Sequence, residues 1–141
     1  MGKVYLTGGC FTTNSFPSSS VFAVDSRGGN GNKPVKKKNM LLKRYGHASQ
    51  YLNGYIYVIG GFSHKDLPNE MPVTLASCER YSVLENTWNF VSTMTEARAF
   101  AASIVFENQY LYVFGGMHDF TVMRTIEKYD CMADKWVTVY F

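Results

Sequence analysis

Three histidines and two arginines at matched places are the side chains in this 141-residue sequence best suited to chemistry. His64 and His118 each lie just after a double glycine, and each has an aspartate nearby, Asp66 and Asp119. An imidazole beside a carboxylate can move a proton or hold a metal. A metal site needs three or four such ligands, and neither pair has a convincing third member. No catalytic residue, metal or cofactor is therefore expected. No nucleophile elbow, phosphate-binding loop, zincin or dinucleotide fingerprint occurs either. Cys10, Cys78 and Cys131 are far apart and odd in number, which reads as free thiols in a cytoplasmic protein.

Arg44 and Arg98 are more informative. Each follows a methionine (Met40, Met94) by four positions, and each precedes a double glycine, by sixteen and seventeen. A guanidinium offers a planar fork of donors that suits a carboxylate. That fork can face a partner, or it can tie the chain to itself through carbonyls or a carboxylate. The sequence leaves both readings open.

The elements that must position these residues form a repeat. Val4-Tyr5-Leu6-Thr7-Gly8-Gly9, Tyr57-Val58-Ile59-Gly60-Gly61 and Tyr112-Val113-Phe114-Gly115-Gly116 are three short apolar strands ending in a double glycine. Gly60 follows Gly8 by 52 positions, and Gly115 follows Gly60 by 55. A period near fifty suits a four-stranded blade rather than a helical repeat. The second unit continues with Glu79-Arg80-Tyr81 and Trp88, the third with Glu127-Lys128-Tyr129-Asp130 and Trp136. Each tryptophan stands seven positions after its tyrosine.

This order of double glycine, tyrosine, tryptophan, methionine and arginine resembles the kelch repeat, over essentially the whole chain. The resemblance implies an all-β fold of kelch-type β-propeller blades, about three four-stranded blades in an incomplete ring. The blades are expected at about 1–41, 42–94 and 95–141, the first lacking its inner strand. Strands are expected at 3–7, 20–25 and 35–41, then 46–52, 55–60, 77–82 and 88–93, then 99–106, 109–114, 124–130 and 136–141. Asn53-Gly54 marks a tight hairpin. In the first unit Val24-Asp25 takes the tyrosine place, but Gly31 stands where tryptophan would fall. Tyr81, Trp88, Tyr129 and Trp136 are expected to fill the space between blades.

In such a blade the first two strands are antiparallel. The loop entering a blade therefore emerges on the same face as the loop after its double glycine. That face gathers Arg44, Tyr45, His64, Asp66, Arg98, His118, Asp119 and Phe120 as candidate partner-binding residues. In kelch adaptors that capture acidic peptides, arginines at this place contact the ligand's carboxylates. The competing reading of Arg44 and Arg98 is an inter-blade hydrogen bond.

Composition narrows the function. Hydrophobic residues at 46% and charged residues at 18% give a globular chain rather than a disordered one. The net charge of +3 owes much to Lys33, Lys36, Lys37 and Lys38, which lie in a Gly/Asn-rich loop, so nucleic acid is not expected. No apolar run approaches a membrane span. The resemblance implies a non-enzymatic protein–protein interaction module, a scaffold or adaptor binding a protein partner with an acidic segment. The alternatives are a kelch-fold enzyme acting on sugars and a permanent structural subunit of a large complex. Three blades do not close a ring, so the remainder of a longer chain or neighbouring subunits is expected to complete it.

Overall fold

The structure is a computed structural model that describes residues 2–10, 16–26, 33–64 and 71–140. Among these residues every regular element is a β-strand, and all paired strands are antiparallel. The first blade is a three-stranded sheet of β1 (Lys3–Thr7), β2 (Val21–Asp25) and β3 (Val35–Lys36). The second opens with β4 (Ala48–Leu52) and β5 (Tyr55–Ile59), passes through a small hairpin of β6 (Phe62–Ser63) and β7 (Val73–Thr74), and returns as β8 (Cys78–Ser82) and β9 (Thr87–Val91). The third repeats this plan with β10 (Ala102–Phe106), β11 (Tyr110–Phe114), the hairpin β12 (Met117–His118) and β13 (Thr121–Val122), then β14 (Ile126–Asp130) and β15 (Lys135–Val139). Each four-stranded sheet runs in simple order, first strand to last.

The unbroken apolarity of β5 has a direct cause: both of its faces are covered. Ile56 and Val58 point one way and join Val21, Met40, Tyr81 and Trp88 in the core between blades 1 and 2. Tyr57 and Ile59 point the other way and join Leu111, Val113, Tyr129 and Trp136 in the core between blades 2 and 3. A strand with period-two side chains buried on both sides reads as a continuous apolar run.

The seven-residue spacing from tyrosine to tryptophan is a hairpin that sets the two rings directly opposite. Tyr81 pairs with Trp88 and Tyr129 with Trp136, at centroid distances of 5.2 and 5.0 Å. Each indole N–H then donates to a carbonyl of the preceding blade, Trp88 to Lys38 O and Trp136 to Ser92 O, both at 2.9 Å. The tyrosine hydroxyls donate to Asn86 and Asp134, each at 2.7 Å. Those two acceptors also receive the backbone N–H of Lys38 and Ser92. The aromatic pair is thus both filler and fastener between blades.

The double glycine is forced by close approach. Gly8 and Gly60 have φ of +59° and +62°, and a Cβ on either would collide with the carbonyl oxygen of the following Arg44 or Arg98. The methyl group of Met40 or Met94 closes the same space. This one contact explains why glycine, methionine and arginine recur together.

Some boundaries differ from expectation. The strand expected at 46–52 begins at Ala48, because Gly46 takes a left-handed φ of +62°. The one expected at 99–106 begins at Ala102, because Phe100 has φ +54°. The strand expected at 35–41 is only Val35–Lys36, since the chain then turns away to bury Met40 between blades. The two small hairpins were not expected.

Blade 3 has an uncovered apolar side. Ile104, Phe106 and Phe114 are exposed there, beside Tyr112, Ile126 and Val139. Of the matching positions in blade 2, Leu52, Tyr57, Ile59 and Cys78 are buried against blade 3. On blade 1, Val4 and Leu6 of β1 are exposed on the face opposite Tyr5, away from blade 2.

Candidate functional site

Arg44 enters blade 2 with its side chain wholly enclosed. One terminal nitrogen donates to Gly60 O at 2.7 Å and Ser77 O at 2.9 Å, and the other to Glu79 Oε1 at 2.7 Å. Arg98 repeats this in blade 3, donating to Gly115 O, Thr125 O and, at 2.9 Å, Glu127 Oε1. The two carboxylates are equally buried and do a second job. Glu79 accepts the backbone N–H groups of Leu41 and Leu42, and Glu127 those of Thr95 and Glu96. The backbone carbonyl of each arginine meanwhile accepts the N–H of the previous blade's second glycine, Gly9 or Gly61. Each arginine is thus a bolt through a blade junction.

This corrects the expectation that Arg44 and Arg98 face a partner. Neither guanidinium reaches the surface, so neither offers a fork to an incoming carboxylate. Each guanidinium is bonded to carbonyls and a carboxylate of its own blade. The link to the previous blade runs through the arginine's backbone carbonyl. Glu79 and Glu127, which complete the bolt, were missed as functional partners, although both stand two positions before the repeat tyrosine. A carboxylate inside a strand buried on both sides needs a cation, and that is the signal that pointed to them.

What remains on the face is aromatic. Tyr45 and Phe62 exchange both backbone hydrogen bonds, at 3.0 and 2.8 Å, which confirms that the blade-entry loop and the post-glycine loop share one side. Ala99 and Met117 do the same in blade 3. Phe62 is buried, and around it lie Tyr45 at 5.6 Å, Phe100 at 5.8 Å and Phe120 at 6.1 Å between ring centroids. Tyr45 in turn stacks on His64 at 6.1 Å. Thr74 and Asp119 bond each other across the two blades, Oγ1 to Oδ1 and backbone N–H to Oγ1, both at 3.2 Å.

The structure therefore brings Tyr45, His64, Asp119 and Phe120 to one patch, with His118 beside Asp119 at 3.4 Å. Asp66 lies outside the described residues. Phe62, Phe100 and Thr74 belong to the patch and were missed. Among the described residues, no three of His, Cys, Asp or Glu gather closely enough to hold a metal ion. Cys10, Cys78 and Cys131 are free, and burial pushes the Cys78 thiol up to about 12.

His47 sits beneath this face at the junction of blades 1 and 2, with Nε2 2.9 Å from Thr7 Oγ1 and Nδ1 enclosed without a partner. Burial, then the Arg44 charge, lowers its pKa to about 4. The unfolded chain binds this proton near the ordinary pKa of 6.5, the folded chain only near 4. Stability is thus full above 6.5 and falls as the pH drops through 4, by about 3 kcal/mol in all. The equivalent position in blade 3 is Ala101. Urea unfolding of His47→Ala across this range should show most of that slope removed; an unchanged slope would refute the assignment.

The family model for the Kelch motif matches residues 43–95 and 98–139. The chain belongs to the kelch-repeat family. Its matches include Kelch-like protein 25 of Rattus norvegicus, 35% identical over 118 residues, covering 81% of this chain and 19% of that protein. Beta-scruin of Limulus polyphemus is 35% identical over 99 residues, covering 69% of this chain and 11% of that protein. An F-box/kelch-repeat protein of Arabidopsis thaliana is 28% identical over 141 residues, covering 96% of this chain and 34% of that protein. The kelch-repeat chain therefore spans about a fifth of the length of Kelch-like protein 25. The solved structure of YjhT superposes with a TM-score of 0.75 at 13% identity, covering 96% of this chain and 51% of that one, and shares the fold. Among the described residues, no helix is long and apolar enough to cross a membrane.

Proposed function

We propose that this kelch-repeat chain is a non-enzymatic interaction module, a scaffold or adaptor that presents its inter-blade loops to a protein partner in the cytoplasm. The carrying observation is the aromatic patch of Tyr45, Phe62, His64, Phe100 and Phe120, which spans the loops of two blades on one face. Aromatic side chains set on a rigid scaffold are the usual anchors of protein recognition. The charges of Arg44, Arg98, Glu79 and Glu127 face one another at the blade junctions rather than a ligand. Within the patch the binding residues are Tyr45, His64, Phe120 and the adjoining His118 and Asp119. An acidic segment of the partner finds neither arginine there.

A second observation bears on partners. The exposed Phe106 and Phe114 occupy positions, those of Leu52 and Ile59, that blade 2 buries against its neighbour. A further blade covers this side, supplied by the remainder of a longer chain or by a neighbouring subunit.

The test is Phe100→Gly, since the matching position in the preceding unit is already a glycine, Gly46, with a similar φ. The variant should stay folded, with a melting temperature close to wild type, while recovery of bound partners from cells falls sharply. Added salt should matter little, because the patch is aromatic rather than charged. Partners recovered in full, per folded protein, would sink this reading.

A further inference from the structure

The side chain exposed most plainly on the aromatic patch is held where a glycine would be easier. Asp119 and Phe120 form the two-residue turn between β12 and β13, with φ of +45° and +64°. Both central residues left-handed is the geometry that favours Asn-Gly, and an aromatic at the second place is strained. Phe100 has the same character: φ is +54°, and the matching residue of the preceding unit is Gly46 at +62°. Gly46 moreover leaves room for Phe100, because a Cβ there would meet its ring at 2.7 Å. Two strained phenylalanines, 58% and 62% exposed, therefore flank the buried Phe62. The Thr74–Asp119 bonds pin the Phe120 turn onto blade 2, so the arrangement is preset rather than loose.

We infer that Phe100 and Phe120, seated on the buried Phe62, form a preset pair of rings for one aromatic or aliphatic side chain of a partner polypeptide whose segment is neutral rather than acidic. This rests on the proposed reading of the face as partner-binding, and it names what that face selects. Charge sets the neutral preference. Arg44 and Arg98 are sealed below the surface by Glu79 and Glu127, and the exposed His118 already lies against Asp119. A rigid pair of rings also loses little entropy on binding.

The experiment is an NMR titration of the protein with three probes: N-acetyl-tryptophanamide, acetyl-triglutamyl-amide and methyl β-glucoside. Millimolar N-acetyl-tryptophanamide should shift the resonances of Phe100 and Phe120 saturably, and the other two probes should not. Phe120→Gly should weaken that binding by about fivefold or more, the scale of one lost aromatic contact. Its melting temperature should be equal to or above wild type, since the turn is relieved of strain. Shifts at these residues from the acidic or sugar probe alone would overturn the apolar preference while leaving the face as a binding site. Shifts from no probe, or only elsewhere, would overturn the ring pair as a binding site, and a lower melting temperature for Phe120→Gly would make Phe120 a packing residue instead.

Discussion

Arg44→Ala is expected to destabilise the protein by about 3–5 kcal/mol, the cost of leaving a buried carboxylate without its cation. Glu79 is fully enclosed and would keep only its two backbone donors, Leu41 and Leu42. The carbonyls of Gly60 and Ser77 would each lose a donor as well. Two further variants isolate the cause. Glu79→Gln in the Arg44→Ala background removes the stranded charge and should recover part of the loss. Arg44→Lys keeps the charge but lacks the planar fork, so it should fall between wild type and alanine. Arg98→Ala should behave alike through Glu127. Urea unfolding gives all four values, and a loss under about 1 kcal/mol for Arg44→Ala would place the pair among weak surface bridges and refute the bolt.

Trp88→Ala is expected to cost a similar amount, about 3–5 kcal/mol, for a different reason: a large cavity opens between blades 1 and 2. Trp88 is only 6% exposed and packs on Tyr81 and Met40. Trp88→Phe keeps most of the packing and loses the N–H bond to Lys38 O, so it should cost nearer 1 kcal/mol beyond the change in size. Trp136 makes the same bond to Ser92 O, with its ring in the core between blades 2 and 3. A Trp88→Ala variant as stable as wild type would contradict the inter-blade assignment.

The landmarks legible in the sequence are those the packing of blades forces to recur. Gly60 cannot carry a Cβ, Met94 must fill beside it, and Tyr81 and Trp88 must face each other across a hairpin. Periodicity therefore exposed them. The arginines were visible as a pair but not in role, because a sequence displays a donor without its acceptor. Glu79 and Glu127 lie 35 and 29 positions away from Arg44 and Arg98, and only folding brings them together. The aromatic patch was legible only in pieces. Tyr45, Phe62, Phe100 and Phe120 come from different loops of two blades, and loops do not obey the repeat. One clue was nevertheless in plain view: Phe100 stands two positions after Arg98 where Gly46 stands two after Arg44. A glycine replaced by phenylalanine at a left-handed position marks a site where the backbone accepts strain to present a ring.

The central claim, that recognition is confined to the face of the aromatic patch, is open to one direct measurement. A photoreactive benzoylphenylalanine placed at Phe100 samples that face, and one placed at Leu84 samples the opposite end of the same blades. Leu84 is 95% exposed in the turn after β8, whose last residue, Ser82, pairs with Tyr55 at the far end of β5 from Gly60. Both variants are irradiated in cells and the covalent adducts resolved. Discrete partner adducts from position 100 and none from position 84 are the predicted result; equal labelling, or adducts from position 84 alone, would contradict it.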